Sequence, residues 1–189
     1  MATTQETSTK MDGNVGKAFQ GSVRQATASD VDLLAELGKQ SFYEAFCEMT
    51  APEDMAAYLQ SAFNKADIKD QIKDERSIFF IADVDDLAAG YVYAYPNAAP
   101  DCIRDKAAIQ LVRLYLRKEY YGRGVGDALM QIAIDRSRAC GYRSIWLSSW
   151  ELNHRANAFY KKWRFEAVGR QKFTVGSDIQ DDYILSRKI

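Results

Sequence analysis

Histidine occurs once in the 189 residues, as His154, and cysteine three times, as Cys47, Cys102 and Cys140. One histidine cannot build a histidine-based metal cluster, and an all-carboxylate site would have no visible signature, so no metal is expected. The cysteines are odd in number, far apart and without a CxxC pair. They read as reduced thiols of a cytoplasmic protein rather than as a disulfide framework. Cys140 falls on the apolar stripe of a predicted helix, where a thiol is expected to fill core space. Neither sign of charge is in excess: 25 basic and 26 acidic residues leave a formal charge of −1. No basic field therefore argues for nucleic acid. Apolar runs are no longer than strands, so no membrane span is expected. The opening MATTQETSTKMDGNVGKAFQ lacks the apolar centre of a secretory signal; residues 1–21 read as a flexible tail.

What is present is a globular composition, 47% hydrophobic and 27% charged, in a length that suits one domain over 22–189. Ser22 to Thr27 reads as a strand, and Ser29 or Asp30 can cap a helix whose apolar positions run to about Phe46. Pro52, Glu53 and Asp54 suit the first turn of a second helix, and Lys65 to Lys73 form a third. SIFFIAD and AAGYVYAY read as strands joined by the acidic turn Val84–Leu87. Ala107 to Leu116 is a strand, followed by glycines, a helix closed by Gly141, a strand over Ser144–Trp150, a helix over Asn153–Trp163 and two final strands. Helices set into a mostly β succession define one α/β (α+β) domain without repeats.

The stretch EYYGRGVGDALM (119–130) carries Gly122, Gly124 and Gly126 between a strand and a helix. Removing Cβ lets the chain bend and lets an anion approach the unpaired N–H groups of the helix start. Arg117, Lys118 and Arg123 add positive charge nearby. The loop is not a Walker loop, because no Lys-Ser or Lys-Thr follows, and GRGVGD ends in Asp127 where GxGxxG requires glycine. By itself it is equally a glycine-softened turn with solvated basic residues. A second segment, WELNHRANAFYKKWRF (150–165), begins with a good N-cap, Asn153, and places Ala156, Phe159 and Tyr160 on neighbouring helix faces.

Strand, GxGxG, helix, strand and NxxAxxFYxxxxF in that order resemble the coenzyme A half of the GNAT N-acetyltransferase superfamily. The resemblance implies a twisted, mostly antiparallel sheet of about seven strands flanked by helices, with parallel strands 4 and 5 splayed at the acetyl-CoA site. It implies that Leu114, Tyr115 and Leu116 hold the acetyl carbonyl and pantetheine through their backbone. It also implies that Tyr121, Gly122, Arg123, Gly124, Val125 and Gly126 form the pyrophosphate cradle. Asn153, Ala156 and Phe159 would lie along the pantetheine arm, and Tyr160 near the sulfur. A phenol with an ordinary pKa of about 10 stays protonated at neutral pH and can neutralise a departing thiolate. Two positions depart from the family pattern. Tyr121 stands where glutamine or arginine is usual, and Arg164 where a glycine helps the chain turn out of the helix.

The tail FTVGSDIQDDYILSRKI and the segment QATASDVDLLAELGKQSFYEAF are similar to the PaiA-like branch, which includes polyamine acetyltransferases. That implies direct transfer from acetyl-CoA to a primary amine, polyamine-like in the first instance, and allows a homodimer. The amine would enter between the first two helices and the final strands, past Phe42, Tyr43, Phe46 and Glu48. Strand Ile109–Leu116 has no carboxylate, where many members place one, so Glu151, Glu48 or an ordered water is left as the base. Two alternatives stay open: a non-catalytic acyl-CoA-binding module, and a protein or peptide N-acetyltransferase.

Overall fold

The computed structural model describes residues 19–189. Most of the expected tail therefore lies outside the described residues, and Phe19 already packs against the main core. Seven strands form one sheet: β1 (Ser22–Gln25), β2 (Ile78–Val84), β3 (Leu87–Tyr95), β4 (Ala108–Leu116), β5 (Ser144–Trp150), β6 (Glu166–Val175) and β7 (Asp178–Lys188). Their spatial order is β1-β2-β3-β4-β5-β7-β6. Every neighbouring pair is antiparallel except β4–β5. The helices are α1 (Val31–Phe46), α2 (Pro52–Ala62), α3 (Lys65–Lys73), α4 (Val125–Ala139) and α5 (His154–Lys162).

Chemistry local to each segment explains these elements. Strand β2 is buried at five of its seven positions, as its near-continuous apolar run IFFIADV requires for a strand covered on both faces. Edge strand β6 alternates exposed and half-buried residues and carries Arg170 and Lys172, which keep its free edge solvated. The acidic turn between β2 and β3 is a two-residue hairpin: Val84 pairs with Leu87, and Asp85 and Asp86 take φ of 51° and 60°. That is a type I′ turn, whose twist matches the strands it joins.

One core lies between α4 and strands β2 to β5, built on Ile109, Leu111, Leu129, Met130, Ile134, Ile145 and Leu147. On the opposite face, Leu34, Leu37, Ile68, Phe79 and Tyr91 pack α1 and α3 against the sheet. A third cluster, Phe42, Met55 and Phe63, joins α1 to α2. Cys140 departs from expectation. It is exposed, because the helix ends at it and Gly141 (φ 85°) turns the chain away.

Both α4 and α5 end in the same double hydrogen bond. After α5, Phe165 N donates to Tyr160 O (3.0 Å) and Arg164 N to Lys161 O (2.9 Å), a Schellman motif with the Phe165 and Tyr160 rings 5.7 Å apart. The motif demands a left-handed residue, and Arg164 adopts φ 61° to supply it. For an L-residue that conformation costs about 1–2 kcal/mol. Arg164→Gly should raise stability by about 0.5–1 kcal/mol once glycine's extra unfolded-state entropy is subtracted. At this chain length the midpoint should rise by roughly 1–4 °C in thermal melts. An unchanged or lower midpoint would show that the left-handed backbone carries no strain.

Candidate active site

The parallel pairing of β4 and β5 covers only Ala108–Gln110 against Ser144–Trp146. Immediately beyond it, Tyr93 pairs with Arg113 but Ala94 with Leu111, so Val112 is an extra residue and β4 bulges. The strands then separate, and the β4 backbone groups beyond the bulge that point toward β5 have no strand partner. A cleft of about 590 Å³ opens there, lined by Leu114, Tyr115 and Leu116 on one wall and Ser148, Ser149 and Trp150 on the other.

The glycine loop borders one end of this cleft. Gly122 (φ 71°) and Gly124 (φ 80°) sit in the left-handed region that favours glycine. Gly126 lies beside the Phe159 ring, which a Cβ there would meet at 3.4 Å, an ordinary van der Waals contact. Ala128 N is the first in α4 to bond back, to Gly124 O at 3.0 Å. The amides of Val125, Gly126 and Asp127 are thus left without main-chain partners, at the positive end of the helix dipole. Helix α5 is tied beside them. Asp127 accepts from Lys162 Nζ (2.9 and 3.0 Å) and from Trp163 Nε1 (2.8 Å). The residues present therefore fit coenzyme A: free amides for its phosphates and a splayed strand edge for its amide-bearing arm.

Of the residues expected here from sequence, Leu114, Tyr115, Leu116, Tyr121, Gly122, Gly124, Gly126, Asn153, Ala156, Phe159 and Tyr160 all line the cleft. Two of the loop residues do not. Val125 is fully buried in the core. Arg123 is exposed and lies over the Tyr120 ring, 5.5 Å from its centre. Asn153 spends its side-chain oxygen on capping α5, accepting from Ala156 N at 3.2 Å. Tyr121, the residue out of pattern, carries the Arg155 guanidinium stacked 3.6 Å from its ring centre, and both line the cleft. Arg155 thus returns to the loop the positive charge that Tyr121 lacks.

Burial pushes the Tyr160 phenol up to about 12, so it is a proton carrier at any physiological pH. Past it the cleft widens between α1, α2 and the β6–β7 hairpin, where Phe42, Phe46, Tyr58, Trp150 and Phe173 line it. Tyr58 stacks on Phe42 at 4.4 Å and meets Phe173 edge-on at 5.9 Å. Phe46 lies 6.1 Å from Trp150. Of the residues expected along the amine's path, Phe42 and Phe46 line the cleft, whereas Tyr43 and Glu48 are exposed and outside the lining. They lie on the solvent side of α1 and in the turn beyond its end. Glu151 is also outside the lining, with Arg170 Nε 2.8 Å from its Oε1.

The carboxylate that does reach the chamber is Asp182, on β7 opposite Trp150. It is 4% exposed, and its Oδ1 is buried without a hydrogen-bond partner. Burial pushes its carboxyl up to about 6; the Ser148 hydroxyl works against the rise, and Asp181 and Glu151 add to it. Those two acids are paired with Lys172 and Arg170 of β6. Sequence reading missed Asp182, Tyr58, Phe173 and Arg155. Asp182 was legible only as one acid in the run SDIQDD, with nothing to mark it as the buried one. Among the described residues no group of three or more His, Cys, Asp or Glu side chains is gathered for a metal, and no helix is long and apolar enough to cross a membrane.

A splayed parallel strand pair beside unpaired helix-start amides, with a protonated tyrosine between them and an aromatic-lined chamber, is the architecture of an acyltransferase that draws on coenzyme A. The chain belongs to the acetyltransferase (GNAT) family, whose model matches residues 40–165. Its acyl donor is accordingly acetyl-CoA. It is 28% identical over 165 residues to an uncharacterised N-acetyltransferase in the pepI 3′ region of Lactobacillus delbrueckii subsp. lactis, covering 87% of this chain and 95% of that one. An uncharacterised N-acetyltransferase of Mycobacterium tuberculosis is 27% identical, with 85% and 99% covered. Among solved structures, PaiA N-acetyltransferase from Thermoplasma acidophilum in complex with coenzyme A superposes with a TM-score of 0.74 at 19% identity, over 90% of this chain and all of that one. The ribosomal-protein-S18-alanine N-acetyltransferase of Escherichia coli gives 0.67 at 14%, over 90% and 94%. These two likenesses establish the shared fold.

Asp182 also yields a stability prediction. Its folded value of about 6 exceeds the ordinary 3.8, so between those limits the folded state holds the extra proton. Stability is then lost as pH rises through the window and stays lost above it. Asp182→Asn should be more stable than the parent at pH 8 by up to about 3 kcal/mol, at 1.36 kcal/mol per pH unit. The difference should vanish below about pH 4. Urea unfolding at both pH values checks this; a difference that does not vary with pH would refute it.

Proposed function

We propose that the protein, over residues 22–189, moves the acetyl group of acetyl-CoA directly to a small-molecule primary amine while both are bound. Tyr160 is the catalytic proton donor. The observation that carries this reading is the position of Tyr160: its phenol borders one continuous cleft whose ends are the glycine-loop amides and the aromatic chamber. Acetyl-CoA supplies an activated thioester. The protein orients it through the glycine loop and the unpaired amides of Gly126 and Asp127 at the start of α4, with Arg155, held by Tyr121, as an added cation for phosphate. The free backbone of Leu114–Leu116 holds the reacting carbonyl and the arm behind it. The amine enters the chamber as an ammonium and gives one proton to water, since an ammonium has no lone pair. Its nitrogen then forms the N–C bond as the C–S bond breaks; Tyr160 gives its proton to the sulfur, and the second proton leaving the nitrogen passes through water to restore the Tyr160 phenol.

Two substitutions test the donor side. Tyr160→Phe should lower kcat by about 100-fold or more while acetyl-CoA KM stays within about twofold. Unchanged turnover would remove Tyr160 from the chemistry. Arg155→Ala should weaken coenzyme A binding about tenfold or more in calorimetry, the loss of one charge-assisted contact. Equal affinity would mean that the stacked cation serves only the surface.

A further inference from the structure

We propose that the acceptor is a singly charged primary amine with an apolar, aromatic-sized body, and that Asp182 is the specificity-determining residue that receives its ammonium group. This rests on the acetyl-transfer reading above and narrows its acceptor.

Two carboxylates are found among the cleft-lining residues, Asp127 and Asp182. Asp127 is consumed by Lys162 and Trp163 at the coenzyme end. Asp182 lies at the acceptor end, buried, with Oδ1 unpartnered. An unpaired buried oxygen of this kind is expensive, and an ammonium donor relieves the cost with one strong bond. The other acids near it are neutralised: Glu151 by Arg170 and Asp181 by Lys172.

The remaining wall is hydrocarbon and ring. Phe42, Phe46, Tyr58, Trp150 and Phe173 surround the space in front of β7. The lining also includes Arg113, held by Gln71 Oε1 (3.0 Å) and Ala62 O (2.8 Å) and lying 5.4 Å from the Phe63 ring centre, beside Phe42 and Tyr58 in the same aromatic cluster. A polyamine would bring two or more ammonium groups to one carboxylate, leaving the others unpaired among rings and facing Arg113. A single ammonium on an aromatic or aliphatic body leaves no charge over and gains ring contacts. The polyamine preference suggested by the likeness of the tail therefore has no matching charges in the chamber.

The test measures thiol release from acetyl-CoA with 2-phenylethylamine, tryptamine, putrescine, spermidine and an alanine-leading peptide. The two arylalkylamines should exceed the polyamines and the peptide in kcat/KM by about tenfold or more. Asp182→Asn should lower kcat/KM for 2-phenylethylamine by about ten- to a hundredfold, the loss of one charged hydrogen bond, with acetyl-CoA KM within about twofold. Spermidine or the peptide as the best acceptor, or an Asp182→Asn variant within twofold of the parent, overturns the proposal. Should no amine release thiol, the melting temperature of the coenzyme A complex with added 2-phenylethylamine separates the two readings. A rise in the parent that Asp182→Asn lacks upholds the chamber assignment and refutes only transfer. No rise in the parent overturns the assignment itself.

Discussion

The structure turns on a hydrogen-bond ladder that stops early. Strands β4 and β5 pair over three residues, and the bulge at Val112 follows within two positions. Had the ladder continued to Leu116, the groups that β4 points toward β5 would be consumed and the cleft would be filled by sheet. Because it stops, the fold keeps a row of unpaired donors and acceptors near its centre, which any ordinary sheet avoids. The same divergence aims the chain after β4 at the start of α4, so the glycine loop and the open strand edge face one gap. The acceptor chamber lies on the far side of that gap and borders the same opening.

Placing a reactive phenol in such a gap requires a helix that cannot rely on burial, since α5 has no fully buried residue. It is held instead at three points. Asn153 caps its start, Asp127 binds Lys162 and Trp163 near its end, and the Schellman turn packs Phe165 on Tyr160. Phe159 completes the contact by lying against Gly126. The glycine loop and the helix that carries Tyr160 are therefore one mechanical unit. A change at Asp127 would disturb both.

Much of the donor half was legible in the chain because its signals are local. GRGVG between strand and helix, Asn153 as a cap and the F-Y pair one helical step later each depend on residues close in sequence. The first five strands and the five helices could be placed for the same reason, to within a residue or two at most ends, whereas the last two strands were expected without bounds. The acceptor half is non-local. Asp182 becomes a chamber residue only because β7 pairs with β5 in the register that sets it opposite Trp150, and Tyr58 and Phe173 meet across more than a hundred residues. A register one residue different would have turned Asp181 inward instead. Glu48 and Glu151 were reasonable candidates by chain position, but one ends at the surface and the other at Arg170. Tyr121 looked like a lost charge until the fold brought Arg155 over its ring.

Three features break ordinary folding rules: the unpaired backbone beyond Val112, the buried lone carboxylate of Asp182 and the left-handed backbone of Arg164. Departures of this kind concentrate where function sets the conformation. The first two fit that account under the proposed reaction, in which one would face the thioester and the other the amine, each relieved by its bound partner. Arg164 fits it less directly. Its φ is dictated by the turn that holds Tyr160, yet glycine would serve that turn with less strain, and the Arg164 guanidinium adds like charge to the field around Arg187. The positive φ therefore belongs to the site, through Tyr160, whereas the arginine side chain does not. Conformation and residue identity are separate constraints at one position, and only the first is explained by what the active site needs.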